Sequence, residues 1–211
     1  MTDQLDIPQL LALAAVLGFA SGIRLYAVVL AVGLVGYTGW IDLPAGLQVL
    51  AHPWVLAASG FMFAVEFFAD KVPALDSLWD AVHTFIRIPA GAAIAGAALG
   101  ADSAAWAVVA AILGGSLAAT SHFTKAGTRA AVNTSPEPFS NIATSTAEDL
   151  SVVGLLWLAF SYPVAAAGIV VLLALAAWWL LPKLFRLVRS IFTTLGAIVP
   201  TSTLPRPRGR E

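Results

Sequence analysis

The chain of 211 residues has no cysteine, which excludes disulfides, thiolate metal sites and cysteine nucleophiles. Histidine occurs only at His52, His83 and His122, without an H-E-x-x-H helix. A zinc site needs three or four convergent ligands, so these histidines read as structural or hydrogen-bonding groups, and no metal or other cofactor is expected. No G-x-S-x-G elbow is present, and the adjacent Ser121 and His122 do not by themselves support catalysis, so the chain reads as no enzyme. Charged residues make up only 11% of the chain and the formal net charge is -1. Outside the C-terminal tail there is no basic face with interleaved aromatics, so nucleic acid is not an expected partner. No Lys or Arg precedes the first apolar run, which therefore reads as a retained span rather than a cleaved signal peptide. Asn133-Thr134-Ser135 matches a glycosylation sequon and reads as a chance match.

Hydrocarbon fills the rest. Apolar residues account for 59% of the chain and the mean hydropathy is +0.87, whereas a soluble domain is nearer half apolar and a quarter charged. The expected fold is an all-α polytopic membrane bundle, with the lipid bilayer as its surroundings. Apolar segments fall at 8–36, 54–69, 84–101, 104–120 and 150–181. A straight span needs roughly 20 apolar residues, so the first and last segments are too long for one ordinary crossing. The first carries Arg24 near its centre, and the last contains Ser161-Tyr162-Pro163, where proline invites a break. Five or six crossings with broken or re-entrant helices follow.

The tail carries Lys183, Arg186, Arg189, Arg206, Arg208 and Arg210, with no acid until Glu211. It should be cytoplasmic. Residues 1–182 read as the transmembrane domain and 194–211 as a disordered tail. Between them, 183–193 reads as an amphipathic helix on the inner leaflet, with Leu184, Leu187, Val188 and Ile191 on one face. Trp178 and Trp179 suit an interfacial belt. Gly18-x-x-x-Gly22 and Gly96-x-x-x-Gly100 mark faces for close helix packing. A faint internal repeat pairs Ala14–Gly18 with Ala110–Gly114, and Leu78-Trp79 with Leu156-Trp157, at unequal spacings. It is either a paired-half transporter pattern or the similarity expected of Ala/Leu/Gly-rich text.

Two polar stretches interrupt the hydrocarbon, from Glu66 to Arg87 and from Ser121 to Asp149. Counting crossings back from the tail puts both on the opposite side. Their Lys and Arg residues then violate the positive-inside trend unless the stretches dip into the membrane. Ionisable groups at such depth are expensive and usually serve a purpose. Glu66 and Asp70 lie one helical turn apart, as do Asp76 and Asp80, and Asp80, His83 and Arg87 continue at helical spacing. Pro73 breaks the run, making Asp70 a helix end and Asp76 a cap. Asp76 and Asp80 read either as part of a site or as a solvated loop. Lys125 and Arg129 share one face, extended by His122 and Asn133, and need Glu148, Asp149 or an anionic ligand as counterion. Glu148-Asp149 precedes an apolar run and suits either a helix N-terminus or a cavity wall. Arg24, flanked by hydrocarbon, is expected to pair with Glu66 or Asp149, or else to snorkel to an interface.

SGIRLY, EFFADKVPALDSLWDAVHTFIRIPAGA and HFTKAGTRAAVNTSPEPFSNIATSTAED together resemble a bacterial membrane family of unknown function (DUF family four-one-two-six) over about residues 10–181. The resemblance implies a polytopic inner-membrane protein and supplies neither an activity nor site residues. A weaker local likeness links FIRIPAG (85–91) to DedA-type lipid translocases, without their acid-proline re-entrant motif.

The expected function is a small transport protein, transporter or channel-like and homo-oligomeric. Its two polar stretches would meet near midplane around an ion, small solute or lipid headgroup. Glu66, Asp70, Glu148 and Asp149 would supply acid or cation coordination, with Arg24, Arg87, Lys125, Arg129 and Asn133 balancing them or binding an anion. The alternative is a membrane scaffold or assembly factor whose intramembrane ion pairs are structural.

Overall fold

The computed structural model describes residues 6–100, 103–133 and 139–198. Among them, all regular structure is helical: α1 (Ile7–Tyr37), a 3₁₀ helix (Ala45–Ala51), α2 (Pro53–Ala69), α3 (Pro73–Leu99), α4 (Ala104–Val132), α5 (Phe139–Ser161) and α6 (Pro163–Ile198). Five helices are long and apolar enough to cross a membrane, and the bent pair formed by the 3₁₀ helix and α2 adds a sixth candidate. Apolar side chains such as Phe61, Phe85, Ile112, Leu172 and Leu175 point outward, as a lipid-facing surface requires.

Local chemistry sets the boundaries. Asp6 and Gln9 cap each other in a capping box that spans Pro8, satisfying two orphan donors of α1. At the far end Trp40 N–H reaches the Val35 carbonyl and Gly39 N–H the Gly36 carbonyl. Gly39 supplies the positive φ this termination needs. Pro53 and Pro73 open α2 and α3, where a missing N–H is tolerated. Asp76 lies in the first turn of α3 while Val72 takes the cap position, so the expected Asp76 cap is not what forms.

α1 is interrupted at Arg24, whose φ of -143 and ψ of 78 are not helical. Its two arms, 7–23 and 25–37, lie along the same stretch of α3. Gly18 sits beside Gly91, yet Val29, further along, shares a cavity with Ala93 and Ile94. Gly33 and Gly36 then meet Leu50 and Leu43, and the neighbouring Gly46 packs on Ala97. A straight helix would carry Gly33 roughly 22 Å beyond Gly18, so the second arm turns back. Of the two sequence readings of 8–36, the broken one forms.

The segment 150–181 also divides: α5 ends at Ser161 and α6 begins at Pro163. That extra reversal overturns the expected side of the polar stretches. Leu184 of α6 packs on Gly127 of α4, and Leu113 and Leu117 share a cavity with Val170 and Ala174. α4 and α6 therefore run parallel, and the basic part of α6 emerges at the end where α4 stops. Arg129 at that end contacts Asp70, which follows α2. Both polar stretches thus lie toward the tail's end of the bundle, and the conflict with the positive-inside trend disappears. Ser121–Val132 completes α4 and Phe139–Asp149 begins α5, so the polar text forms helix ends rather than a re-entrant loop among the described residues. Residues 134–138, which hold most of the sequon, and 199–211 of the expected disordered tail lie outside the described residues.

Close packing runs on small residues. The similar segments 14–18 and 110–114 lie side by side: a Cβ on Gly18 would strike the Gly114 backbone, and one on Gly22 would strike Ser121 and Ala118. Replacing Gly18 with leucine should force α1 and α4 apart and destabilise the fold by about 1–3 kcal/mol or more. Gly168, which has open space around it, should accept alanine with a gain of roughly 0.5–1 kcal/mol. Thermal unfolding of the two purified variants in detergent checks the contrast.

Candidate functional site

The break at Arg24 leaves the last carbonyls of the first arm without helical donors. α4 supplies hydrogen-bond donors to this end of the arm from one face. Ser121 Oγ donates to the Phe19 carbonyl at 2.7 Å and Lys125 Nζ to the Ile23 carbonyl at 3.3 Å. A cation at a helix C-terminus also opposes the dipole. The same face of α4 carries Ala110, Gly114 and Ala118 above and His122, Lys125 and Arg129 below, all buried. One stripe therefore changes from packing surface to charged surface partway along the helix.

Asp70, which ends α2, is the hub. Its Oδ2 takes Arg24 Nη1 in a close ion pair and Lys125 Nζ at 2.9 Å, with Arg129 Nη2 at 3.7 Å. Its carbonyl accepts from Arg129 Nη1 and Asn141 Nδ2, each at 3.0 Å. Arg24 also donates to Ser145 O and Oγ at 3.1 and 3.0 Å. Its Nε lies 3.0 Å from Asp149, and Glu148 is 3.5 Å from Nη2. Of the partners expected for Arg24, Asp149 is found and Glu66 is not; Arg24 is fully buried and does not snorkel.

Glu66 belongs to a neighbouring group. Arg87 bridges Glu66 Oε1 at 2.5 Å and Asp80 Oδ1 at 2.6 Å, and its Nη1 is 3.3 Å from His122 Nδ1. Lys125, 3.4 Å from Asp80, joins the two groups. Arg129 forks onto Glu148 at 3.0 and 2.7 Å and donates to Asn141 Oδ1 at 2.6 Å. Asp76 lies 3.6 Å from Arg129 and accepts from Asn133 Nδ2 at 3.2 Å. All nine residues singled out from the sequence therefore come together, drawn from α1, α4, α5 and the α2–α3 region. Asp76 and Asp80, read equally as a solvated loop, are buried members instead. Glu148 and Asp149 sit inside α5, not at its N-terminus.

Several contributors were not singled out. Asn141 and Ser145 precede Glu148 at helical spacing on α5, a polar stripe visible in the text. His83 Nδ1 donates to the Trp79 carbonyl at 2.8 Å, which leaves Nε2 to accept from Tyr26 at 3.1 Å. Thr84 meets His122 Nε2 at 2.7 Å. With His122 turned to Thr84 and Ser121 to Phe19, the adjacent pair does not form a nucleophile–base contact. Lys71, in the turn after α2, has its pKa lowered from the ordinary lysine value by burial, opposed by the Asp149 and Asp70 carboxylates.

Charge balance within the network is uneven. Among the described residues, six carboxylates (Glu66, Asp70, Asp76, Asp80, Glu148, Asp149) are paired with four cations (Arg24, Arg87, Lys125, Arg129). Counting Lys71 from the adjacent turn still leaves one negative charge in excess. Oxygens of Glu66, Asp70 and Asp80 are buried without a hydrogen-bond partner. Carboxylate oxygens of Asp70, Asp76 and Asp80 fall within 4.8 Å of one another. The excess comes from Glu148 and Asp149, which are only partly buried, and in a low dielectric it favours an offsetting proton or cation.

Truncating Arg129 to methionine should strand Glu148 and Asp76 and destabilise the protein by about 3–5 kcal/mol. Arg129→Lys should fall between that variant and the unaltered chain, because an ammonium cannot reproduce the fork onto Glu148. Chemical or thermal unfolding in detergent would rank the three.

No curated protein and no solved structure matches the chain. Residues 11–183 match the family described as a domain of unknown function, DUF4126. Covering nearly all of the helical bundle, that match places the chain in the DUF4126 family.

Proposed function

We propose that this protein is a small transport protein of the bacterial inner membrane, its C-terminus in the cytoplasm, that passes a proton or small cation through the network around Asp70. The acidic excess carries the reading. Six carboxylates, four of them buried and Glu148 and Asp149 partly buried, against four buried cations favour a positive ligand over the anion or lipid phosphate that the basic residues alone would suggest. The interrupted α1 supports it further: its break closes on the network at the tail's end of the bundle, and broken helices are a common building element of transporter sites. Asp70, Asp76 and Asp80 would hold the cation, and Arg24, Lys125 and Arg129 would return to the same carboxylates when it leaves.

Asp76 offers the cleanest test, since its partners are Asn133 and a more distant Arg129. Asp76→Asn should fold and lose at least 10-fold in cation or proton flux into proteoliposomes, the scale of one displaced charge interaction of about 1.4 kcal/mol. Normal flux in a folded Asp76→Asn protein would overturn the assignment.

A second reading as a scaffold or assembly factor has its own observation. Each of the four buried cations has a carboxylate partner. The two side cavities, of about 470 and 630 Å³, are lined mainly by apolar groups and by none of the network's charged residues. Exchanging Glu66 and Arg87 separates the two. A scaffold should keep its folding and its partner complexes after the swap, whereas a transport site should lose flux although the protein still folds.

A further inference from the structure

α6 carries a collar of positive charge for which no acid among the described residues serves as counterion. Lys183, Arg186 and Arg189 recur every three residues and all are exposed; among the described residues none forms a salt bridge with an acid. No acid lies between Asp149 and Glu211 in the sequence. Among the described residues the acids at this end, on α3 and α5, are turned inward to Arg24, Arg87, Lys125 and Arg129.

Depth identifies the partner. Leu184 packs on Gly127, so one turn further Arg186 and Arg189 stand level with the last turn of α4. Trp178 and Trp179, exposed just before them, suit the boundary between hydrocarbon and headgroups. Lys183 lies over the Trp179 ring, with its stem along the apolar surface and its charge toward the boundary. At the opposite end Trp40, Trp54, Trp106 and Tyr162 are also exposed. From Trp106 along α4 to the level of Lys183 is about 30 Å at helical rise, the thickness of a hydrocarbon core.

We infer that Lys183, Arg186 and Arg189 form a binding site for the headgroups of anionic phospholipids in the leaflet at the tail's end of the bundle. The collar stands upright on α6, which runs unbroken from Pro163 to Ile198, so it presents its cations to lipids packed beside the bundle. Charge complementarity selects the headgroup, and Trp178, Trp179 and Phe185 cover the adjoining acyl chains. This site does not depend on what passes through the buried network.

The test uses the full chain in detergent, titrated with phosphatidylglycerol or with phosphatidylcholine of the same acyl chains, and follows the unfolding temperature. Phosphatidylglycerol should raise it and phosphatidylcholine should not, and high salt should remove the difference. Each of Lys183→Gln, Arg186→Gln and Arg189→Gln should weaken the phosphatidylglycerol response about fivefold. The triple variant should lose the response while unfolding like the unaltered chain without lipid. Equal stabilisation by both lipids would overturn the inference, as would a triple variant with the full response, which would move the anionic site elsewhere. Should the triple variant not fold, a salt-insensitive lipid preference in the unaltered protein would overturn it equally.

Discussion

Two helix ends that could not be buried alone are buried together. α1 stops at Arg24 with carbonyls unpaired, and α2 stops at Asp70 with a carboxylate and a carbonyl to satisfy. Arg24 and Asp70 join these ends directly. Lys125 serves both, donating to the Ile23 carbonyl on one side and the Asp70 carboxylate on the other. The rest of the arrangement follows from that junction. α4 must lie close enough for Lys125 to reach, which requires glycine at 18, 22 and 114. α5 must bring Ser145, Glu148 and Asp149 to complete the shell of Arg24.

Such a junction is poor evidence for stability in itself, because desolvating the ions offsets most of their attraction. Its value lies in specifying geometry. An apolar bundle in lipid has little to fix helix register, since hydrocarbon faces are nearly interchangeable there. A guanidinium that must meet a particular carboxylate removes that freedom, and Arg129 adds a second fixed point by forking onto Glu148 while holding the Asp70 carbonyl.

The helical class, the membrane setting and nine residues of the charged cluster were legible in the text, because apolar runs and isolated ions in them have strong physical meaning, whereas Asp76 and Asp80 read equally as a solvated loop. Lys125 and Arg129 at helical spacing announced a buried face, and it formed. The pairing inside the cluster was not legible. Glu66 and Asp70 are equivalent by spacing, one turn apart on α2, yet Arg87 takes one and Arg24 the other. Which acid each arginine meets depends on how sharply α1 turns, and a single non-helical residue leaves no composition signal. The side of the polar stretches failed for a similar reason. Ser161-Tyr162-Pro163 was visible as a break, but a kink and a full reversal read alike, and only the reversal adds a crossing. Asn141 and Ser145 were overlooked because small polar residues near a helix start usually mean capping.

The turn at Arg24 also changes the parity of the chain. A first helix of 31 residues would ordinarily carry the polypeptide from one face of the membrane to the other. Here it enters and returns, so Asp6 and the segment around Trp40 share a face, and every later loop takes the opposite side from the one a simple helix count assigns. The five helices that follow are odd in number, which leaves Asp6 and the end of α6 at opposite ends of the bundle. One residue's backbone thus decides at which end of the bundle each later loop lies.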